Sequence, residues 1–537
     1  MSIQALFLND ITLRASYRVN RYVGPYVLAS HLEKQGIESL VIDWFTDIPN
    51  FFSYLRKFLS PEIKVIGISS TFLTQPLSPL LNEDLKKPLR TDQARSYFEG
   101  YLWFNQKDDL EKWMRSLRSL LNEFNPECKI ILGGAKGLHI WRNHQPDDPF
   151  RHFDYIVTGA GENLISEIIS GSEEELNSVS LKKNELKFLQ GKALNEGTLC
   201  PSIKWNKKWA LQYGESLPIE ISRGCKYNCK FCHYDKRGSV KKSTRSLRNE
   251  MIANYEEYGV TGYHFSDDCF NDTRNKVDEL CNMFLSLPFK IDWISYARID
   301  VAARFPETFD LMVNSGCRGV WLGLESFNRE ASLKSGKGVP PDEVKETLLR
   351  MRKNHKANCL IAASFITGLP YETQESQLDT LDWLLNNDVL DFASFGVLGI
   401  LPYDSSMDNK AMDYAEYTRN PQKNGFQKVS WDPYYWEHAT MNSETAKQLA
   451  DHCQKQWLLQ KGQPYFKFIW AYPMFRSYGF SHEEIIAMTR NPENSNNWRV
   501  ETEKRKRAWD DRYWSALAKF QESNRQREFG SVLTCSP

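Results

Sequence analysis

Glu220-Ile-Ser-Arg-Gly-Cys-Lys-Tyr-Asn-Cys-Lys-Phe-Cys-His-Tyr234 is the stretch from which the rest of the chain can be read. Cys225, Cys229 and Cys232 stand in it as C-x3-C-x2-C. The apolar residues 217–221 lead in as a strand, and Arg223-Gly224 breaks that strand into a loop. Three thiols on one short loop can converge on a single inorganic centre, and thiolates suit iron–sulfur clusters, zinc and copper(I). A structural zinc site takes four ligands, usually as two separated pairs, and no obvious second pair exists here. His233 is a candidate fourth ligand, but directly after Cys232 it would have to turn back sharply. A cubane held by three cysteines leaves one iron without a protein ligand, open to a small molecule. The competing reading is a disulfide or inert thiols. Local clustering, and the lack of an even, regular pattern among the 11 cysteines, argue for a reducing, cytoplasmic setting instead.

This loop resembles the signature of radical S-adenosylmethionine (SAM) enzymes, down to Phe231 before the last cysteine. The resemblance implies that Cys225, Cys229 and Cys232 ligate a [4Fe–4S] cluster whose open iron chelates the amino and carboxylate groups of SAM. Electron transfer would then cleave SAM to a 5′-deoxyadenosyl radical. A donor such as a flavodoxin or ferredoxin is implied as a partner.

Residues 216–400 repeat strand and helix six times, with strands at 217–221, 262–266, 292–296, 319–323, 360–367 and 392–399. Six parallel units predict a partial, open (βα)6 barrel of the TIM type, with its working groups at the strand C-terminal ends. The informative residues fall there: Asp267 and Asp268 after the second strand, Arg298 and Asp300 after the third, Glu325 after the fourth, Gly368 after the fifth. Ala297-Arg-Ile-Asp300, Gly323-Leu-Glu-Ser326 and Gly368-Leu-Pro-Tyr-Glu-Thr373 match the cobalamin-associated class of the same enzymes. That resemblance implies that Asp267, Asp268, Arg298, Glu325 and Gly368 bind the SAM cofactor. The independent physical case is that a carboxylate accepts from an ammonium and Arg pairs with a carboxylate or ribose oxygen. Each charged residue alone also reads as an ordinary ion pair, and Cys269 as a semi-buried thiol. No residue is singled out as the catalytic acid, base or nucleophile.

Residues 1–170 alternate strand and helix, which predicts an α/β, doubly wound, Rossmann-like parallel sheet. Gly133, Gly134, Gly159 and Gly161 lie at strand ends, where such sheets bind ligands, although tight turns alone would also use glycine. This half resembles the B12-binding domain that precedes the cluster domain in the cobalamin-associated class. The resemblance implies cobalamin held at those glycines, in a rim running from Asn9 through residues 69–71, 133–134 and 159–161. One departure is the D-x-H-x-x-G cobalt-ligating loop, replaced by Asn9-Asp10-Ile11-Thr12. A second is residues 75–127, an aromatic, helix-rich insertion. Residues 171–215 read as a linker with short strands near 202–209. Residues 401–537 read as a mainly helical module with an aromatic run at 431–441 that could wall the substrate side, and with a disordered tail from 526.

Lys+Arg and Asp+Glu are both 68, so composition gives no support for nucleic-acid or membrane-surface binding. The first residues read as a strand rather than a signal peptide, and no apolar run reaches membrane-spanning length. The expected activity is a radical SAM reaction with cobalamin-dependent methyl transfer to an unactivated carbon. The alternatives are a cobalamin-independent rearrangement, oxidation or cyclisation, and a non-catalytic zinc- or RNA-binding protein. Methylthiotransferase relatives are disfavoured, because they need a second three-cysteine cluster where only Cys128 occurs. The substrate, a small molecule, peptide or lipid, is not legible.

Overall fold

The computed structural model describes residues 2–9, 21–45, 48, 50–70, 107–134, 137, 140–141, 144–172, 179–183, 185–191, 202–232, 240–400, 403, 415–431, 434–461, 471–491 and 495–533. Most of the insertion, residues 71–106, lies outside them, as do 10–20, where a cobalt-ligating loop would stand.

Five short apolar strands build the N-terminal sheet: β1 (Ala5–Asn9), β2 (Ser39–Asp43), β3 (Val65–Ser69), β4 (Lys129–Gly133) and β5 (Tyr155–Gly159). They are parallel and covered on both faces, which is why they read as continuous hydrophobic runs rather than alternating ones. β1 lies between β2 and β3, so the direction of winding reverses there and the connections part to leave a crevice at the strand C-terminal ends. Two further strands, β6 (Val179–Lys183) and β7 (Leu186–Gly191), form a hairpin whose second strand runs parallel to β5. The expected linker therefore extends the sheet at 179–191. The short strands expected near 202–209 are instead extended chain and a 3-10 turn, Lys207–Trp209. Lys182 and Lys183 made this hairpin look like solvated linker, but edge strands carry lysines on purpose. Gly159 has φ +72, and a Cβ there would meet the Gly191 carbonyl oxygen at 2.5 Å, so only glycine lets β5 and β7 approach.

The second sheet is the predicted open barrel: β8 (Leu217–Glu220), β11 (Gly262–Ser266), β12 (Asp292–Ala297), β13 (Cys317–Glu325), β14 (Leu360–Thr367) and β15 (Phe392–Val397), parallel in that order. Between the first two, β9 (Ser222–Arg223) and β10 (Val240–Lys241) pair antiparallel and clamp the two ends of the cysteine segment. Phe265 and Trp293 stack at 4.7 Å against Phe270 and Phe284 on the helix side. Alternation then turns His264, Ser266 and Tyr296 into the barrel lumen. Tyr296 is 39% exposed there, so the interior is open rather than packed shut.

Besides its helices, the C-terminal region contains a small antiparallel sheet, β16 (Phe426–Trp431), β17 (Tyr434–His438) and β18 (Met441–Asn442). The aromatic run forms this sheet. The last helix, Ser495–Leu533, takes in most of the stretch expected to be a disordered tail. It returns to the first sheet, where Trp509 and Tyr513 pack edge-on against Trp44 at 5.5 and 4.8 Å.

Candidate active site

The cysteine segment is pinned from four sides. Gly224 N donates to Asp268 Oδ2 at 2.9 Å, Tyr227 Oη to the Asp272 carbonyl at 3.3 Å, and Lys230 N to the Ser335 carbonyl at 2.9 Å. Tyr417 N donates to the Lys230 carbonyl at 2.9 Å, and Cys232 N closes a turn onto the Cys229 carbonyl. Cys229 is buried, while Cys225 and Cys232 are partly accessible, and all three are free thiols. The segment is thus held by the exits of two barrel strands, β11 and β13, and by the C-terminal region. A single loop could not hold such a curve alone, because its backbone donors would compete with water.

The sequence-selected residues separate on inspection. Asp267 faces inward: Oδ2 takes Ser222 Oγ and Lys276 Nζ, both at 2.9 Å, and Oδ1 takes Cys269 N at 2.9 Å. Asp268 is half-buried beside Gly224. Arg298 grips Asp300 through Nε and Nη2 at 3.0 and 3.1 Å, lies over the Tyr227 ring at 3.8 Å, and points Nη1 at Cys229 Sγ, 3.0 Å away. Glu325, at φ 69, pairs with Lys337 at 3.2 Å, and Lys337 lies near the Phe231 ring. Asp268 and Arg298 therefore touch the cysteine loop directly, Glu325 is linked to it through Lys337, and Asp267 is closed in beside it. Sequence reasoning missed Lys276, Lys337 and Ser335, since a lone Lys or Ser on a helix end carries no local signal.

Gly368 meets the C-terminal region. At φ +94, a Cβ there would meet Trp436 ring carbons at 2.3 and 2.9 Å. Its carbonyl receives His438 Nε2 at 3.1 Å, and Trp436 Nε1 donates to the Leu398 carbonyl at 3.0 Å. The aromatic run thus buries Trp436 and His438 against the β14 exit instead of lining an open wall. Beneath it sits Glu372, hydrogen-bonded to Ser326 Oγ and to Gly368 N at 3.2 Å. Burial pushes the Glu372 carboxyl up to about 8, against those donors. The unfolded chain, with the ordinary value of 4.5, releases that proton first. Stability from this group is therefore full below pH 4.5 and falls as pH rises through 8. Thermal melts from pH 5 to 8.5 should show the wild-type Tm declining relative to Glu372→Gln, which cannot titrate. A constant difference between the two would show that Glu372 is ionised throughout.

The gap between the two sheets is the other feature. A cleft with about 990 Å³ of open space is lined by Leu8, Ser69, Gly133, Gly134, Gly159 and Gly161 at the strand ends, and by Leu28 and Ile165 of the covering helices. Its far wall is Glu220 and Arg223. Arg223 bridges to Glu162 of the first domain and to Glu220, both buried. Asn9 is outside this rim, donating to Asp43 at 2.7 Å, and Thr71 is outside the described residues.

The donor set tests which group fits the loop. Among the described residues no three His, Cys, Asp or Glu side chains are close enough to share one metal ion, so the fit of a metal centre to the loop rests on its three free thiols and their spacing. The hydrogen bond from Cys269 holds the Cys225 thiol down to about 7, and Arg298 lies at Cys229. Three free thiols on one loop are the donor set of an iron–sulfur cluster.

Residues 219–384 match the Radical SAM superfamily. The chain carries a radical SAM domain. A radical SAM domain implies a [4Fe–4S] cluster and SAM as its cofactors. An uncharacterized methyltransferase of Pyrococcus horikoshii is 25% identical over 307 residues, covering 52% of this chain and 63% of that protein. The bacteriochlorophyllide d C-8(2)-methyltransferase of Chlorobaculum tepidum is 22% identical over 292 residues, covering 50% and 60%. The matched region thus spans less than two thirds of either relative. Among solved structures, the radical SAM methyltransferase TsrM of Kitasatospora setae, with cobalamin and a [4Fe–4S] cluster bound, superposes with TM-score 0.51 at 16% identity, covering 78% of this chain and 77% of that one. The cobalamin-dependent radical SAM enzyme OxsB, with aqua-cobalamin bound, gives 0.54 at 14% identity, covering 96% and 84%. At such identities the likeness is one of fold: a Rossmann-like sheet ahead of a radical SAM domain. Among the described residues no helix is long and apolar enough to cross a membrane.

Proposed function

We propose that the chain is a radical SAM methyltransferase in which Cys225, Cys229 and Cys232 hold the cluster and the inter-sheet cleft holds cobalamin. The observation that carries this is the position of Arg223. It walls the cleft and lies two residues before Cys225, so one segment borders both sites. When bound, these groups supply an electron for SAM cleavage to the 5′-deoxyadenosyl radical and a methyl group for an unactivated carbon. The chain's own residues position and shield. Asp268 and Glu325 place carboxylates by the loop for the SAM ammonium, and Arg298 offers a guanidinium for its carboxylate. Leu8, Val27, Leu28 and Ile165 give the cleft an apolar wall, and the glycines bare backbone amides for uncharged corrin amides. His264 and Tyr296 face the open lumen where a substrate would lie. Burial lowers the His264 imidazole to about 4, which favours the neutral ring with one N–H donor and one acceptor nitrogen. A flavodoxin- or ferredoxin-like protein is the proposed electron donor.

The test is anaerobic reconstitution with iron, sulfide and hydroxocobalamin, then gel filtration and metal analysis. Cobalt should co-elute with a full cluster, and its spectrum should lack a nitrogen lower ligand. Iron without cobalt would return the reading to a cobalamin-independent radical SAM reaction.

A further inference from the structure

Lys226 and Asn228 of the cysteine segment are exposed, and four lysines gather where the segment comes to the surface. Lys226 and Lys230 stand on the segment itself. Lys334 precedes Ser335, whose carbonyl receives Lys230 N at 2.9 Å. Lys423 precedes Asn424, whose Oδ1 receives Lys230 Nζ at 3.1 Å. Among the described residues none of these four ammonium groups has a carboxylate in ion-pair reach. The lysines behind the segment differ, since Lys276 is taken by Asp267 and Lys337 by Glu325. The nearby carboxylates do not cancel the four. Glu416, next to Tyr417, is bonded by Asn420 Nδ2 at 3.1 Å, and exposed Glu330 adjoins exposed Arg329. In a chain with 68 basic and 68 acidic residues this is a local positive excess.

Two apolar groups lie inside the same patch. Leu333, on the short helix Arg329–Ser335, is 48% exposed, and Tyr371 is 38% exposed. Lys334 Nζ lies 5.9 Å from the centre of the Tyr371 ring, and a Cβ on Gly425 would lie 3.8 Å from Tyr371 Oη. The ring therefore joins the helix end carrying Lys334 to the turn carrying Lys423. An apolar centre with a charged rim is the anatomy of a protein interface. The cover over the segment is also thin here. Gly336 is exposed at φ +95, and a Cβ there would stand 3.3 Å from Cys229 Cα. At this point backbone alone lies between Cys229 and solvent.

We infer that this face, Lys226, Lys230, Lys334 and Lys423 around Leu333 and Tyr371, is the docking surface for an acidic one-electron carrier protein. The inference rests on the assignment of the cluster to Cys225, Cys229 and Cys232. One electron passes from the reduced carrier to the cluster: the carrier is oxidised, the cluster is reduced, and no bond in either protein forms or breaks. Electron tunnelling falls steeply with distance, so the carrier must seat where little of the chain intervenes. The lysines steer its acidic face to that place.

The test uses the anaerobically reconstituted full chain, without substrate, in stopped-flow mixing with a reduced acidic flavodoxin and, separately, a reduced acidic ferredoxin. With at least one carrier, the wild-type second-order rate of cluster reduction should fall as salt rises. Lys334→Glu combined with Lys423→Glu reverses two exposed charges and leaves the segment intact. It should slow that rate at low salt by about tenfold or more and flatten its salt dependence. Iron content and the rate of reduction by dithionite, which needs no docking, should stay at wild-type values. An iron-replete double variant with the wild-type carrier rate overturns the inference. So does a wild-type cluster that dithionite reduces but that both carriers reduce independently of salt, or not at all. A variant slowed equally with dithionite and with the carriers also overturns it, because the effect then lies in the cluster and not at the surface. A wild-type chain that assembles no cluster would instead refute the cysteine assignment.

Discussion

Replacing Cys225, Cys229 or Cys232 by alanine is expected to abolish the cluster absorbance and reduce SAM cleavage to the assay background. Each single change should suffice. The three thiols share a segment whose curvature is set from outside, by Asp268, Ser335 and Tyr417, so a lost sulfur cannot be replaced by sliding the loop. His233, the neighbouring nitrogen, belongs to residues outside the described set. Iron and sulfide analysis with the absorption spectrum of the reconstituted protein reads the result directly. A triple alanine variant that retained cluster iron would show the assignment to be wrong.

The second large effect concerns stability. Arg21 is fully buried between the two halves of the chain. It pairs with Asp43 of β2 at 2.7 Å and with Glu215, just ahead of β8, at 2.5 Å. It also donates to the Trp209 carbonyl at 3.0 Å, and the Tyr26 hydroxyl bonds the same Asp43. Burial raises the Glu215 carboxyl, and the Arg21 charge opposes that rise. Arg21→Met would leave two buried carboxylates facing each other with no cation. Breaking a buried pair from one side costs roughly 3–5 kcal/mol, because the remaining charge is neither hydrated nor paired. Urea denaturation should show a loss of that size, as the first sheet loses its anchor to β8. A loss under about 1 kcal/mol would mean water reaches the cluster of charges. Arg21→Lys should fall between, since one ammonium cannot serve two carboxylates and a carbonyl at these angles.

The sequence alone was enough for what depends on local order. Cys225, Cys229 and Cys232 are neighbours in the chain, so spacing alone marks them as one candidate ligand set, while the curve of their loop is set from outside by Asp268, Ser335 and Tyr417. Strand alternation with helices identified the barrel and the first sheet, because parallel strands buried on both faces leave continuous apolar runs. Gly133, Gly134, Gly159 and Gly161 could be placed at strand ends for the same reason, and they do line one cleft.

Tertiary structure decided what each polar side chain faces. Asp267 and Asp268 are adjacent in sequence, yet one is closed in by Ser222 and Lys276 while the other holds Gly224 at the edge of the site. Gly368 matched a SAM-binding pattern, but its contacts are Trp436 and His438, some seventy positions away, and only packing brings that small sheet to the β14 exit. The hairpin at 179–191 reads as linker until β5 offers it an edge. Arg21 and Glu215, or Arg223 and Glu162, meet across long stretches of chain whose closure is driven by the burial of Tyr26, Trp209 and the strands around them. A charge records no partner in its own neighbourhood of sequence. Its role is set by which surfaces the hydrophobic cores bring to it, and those depend on the whole chain.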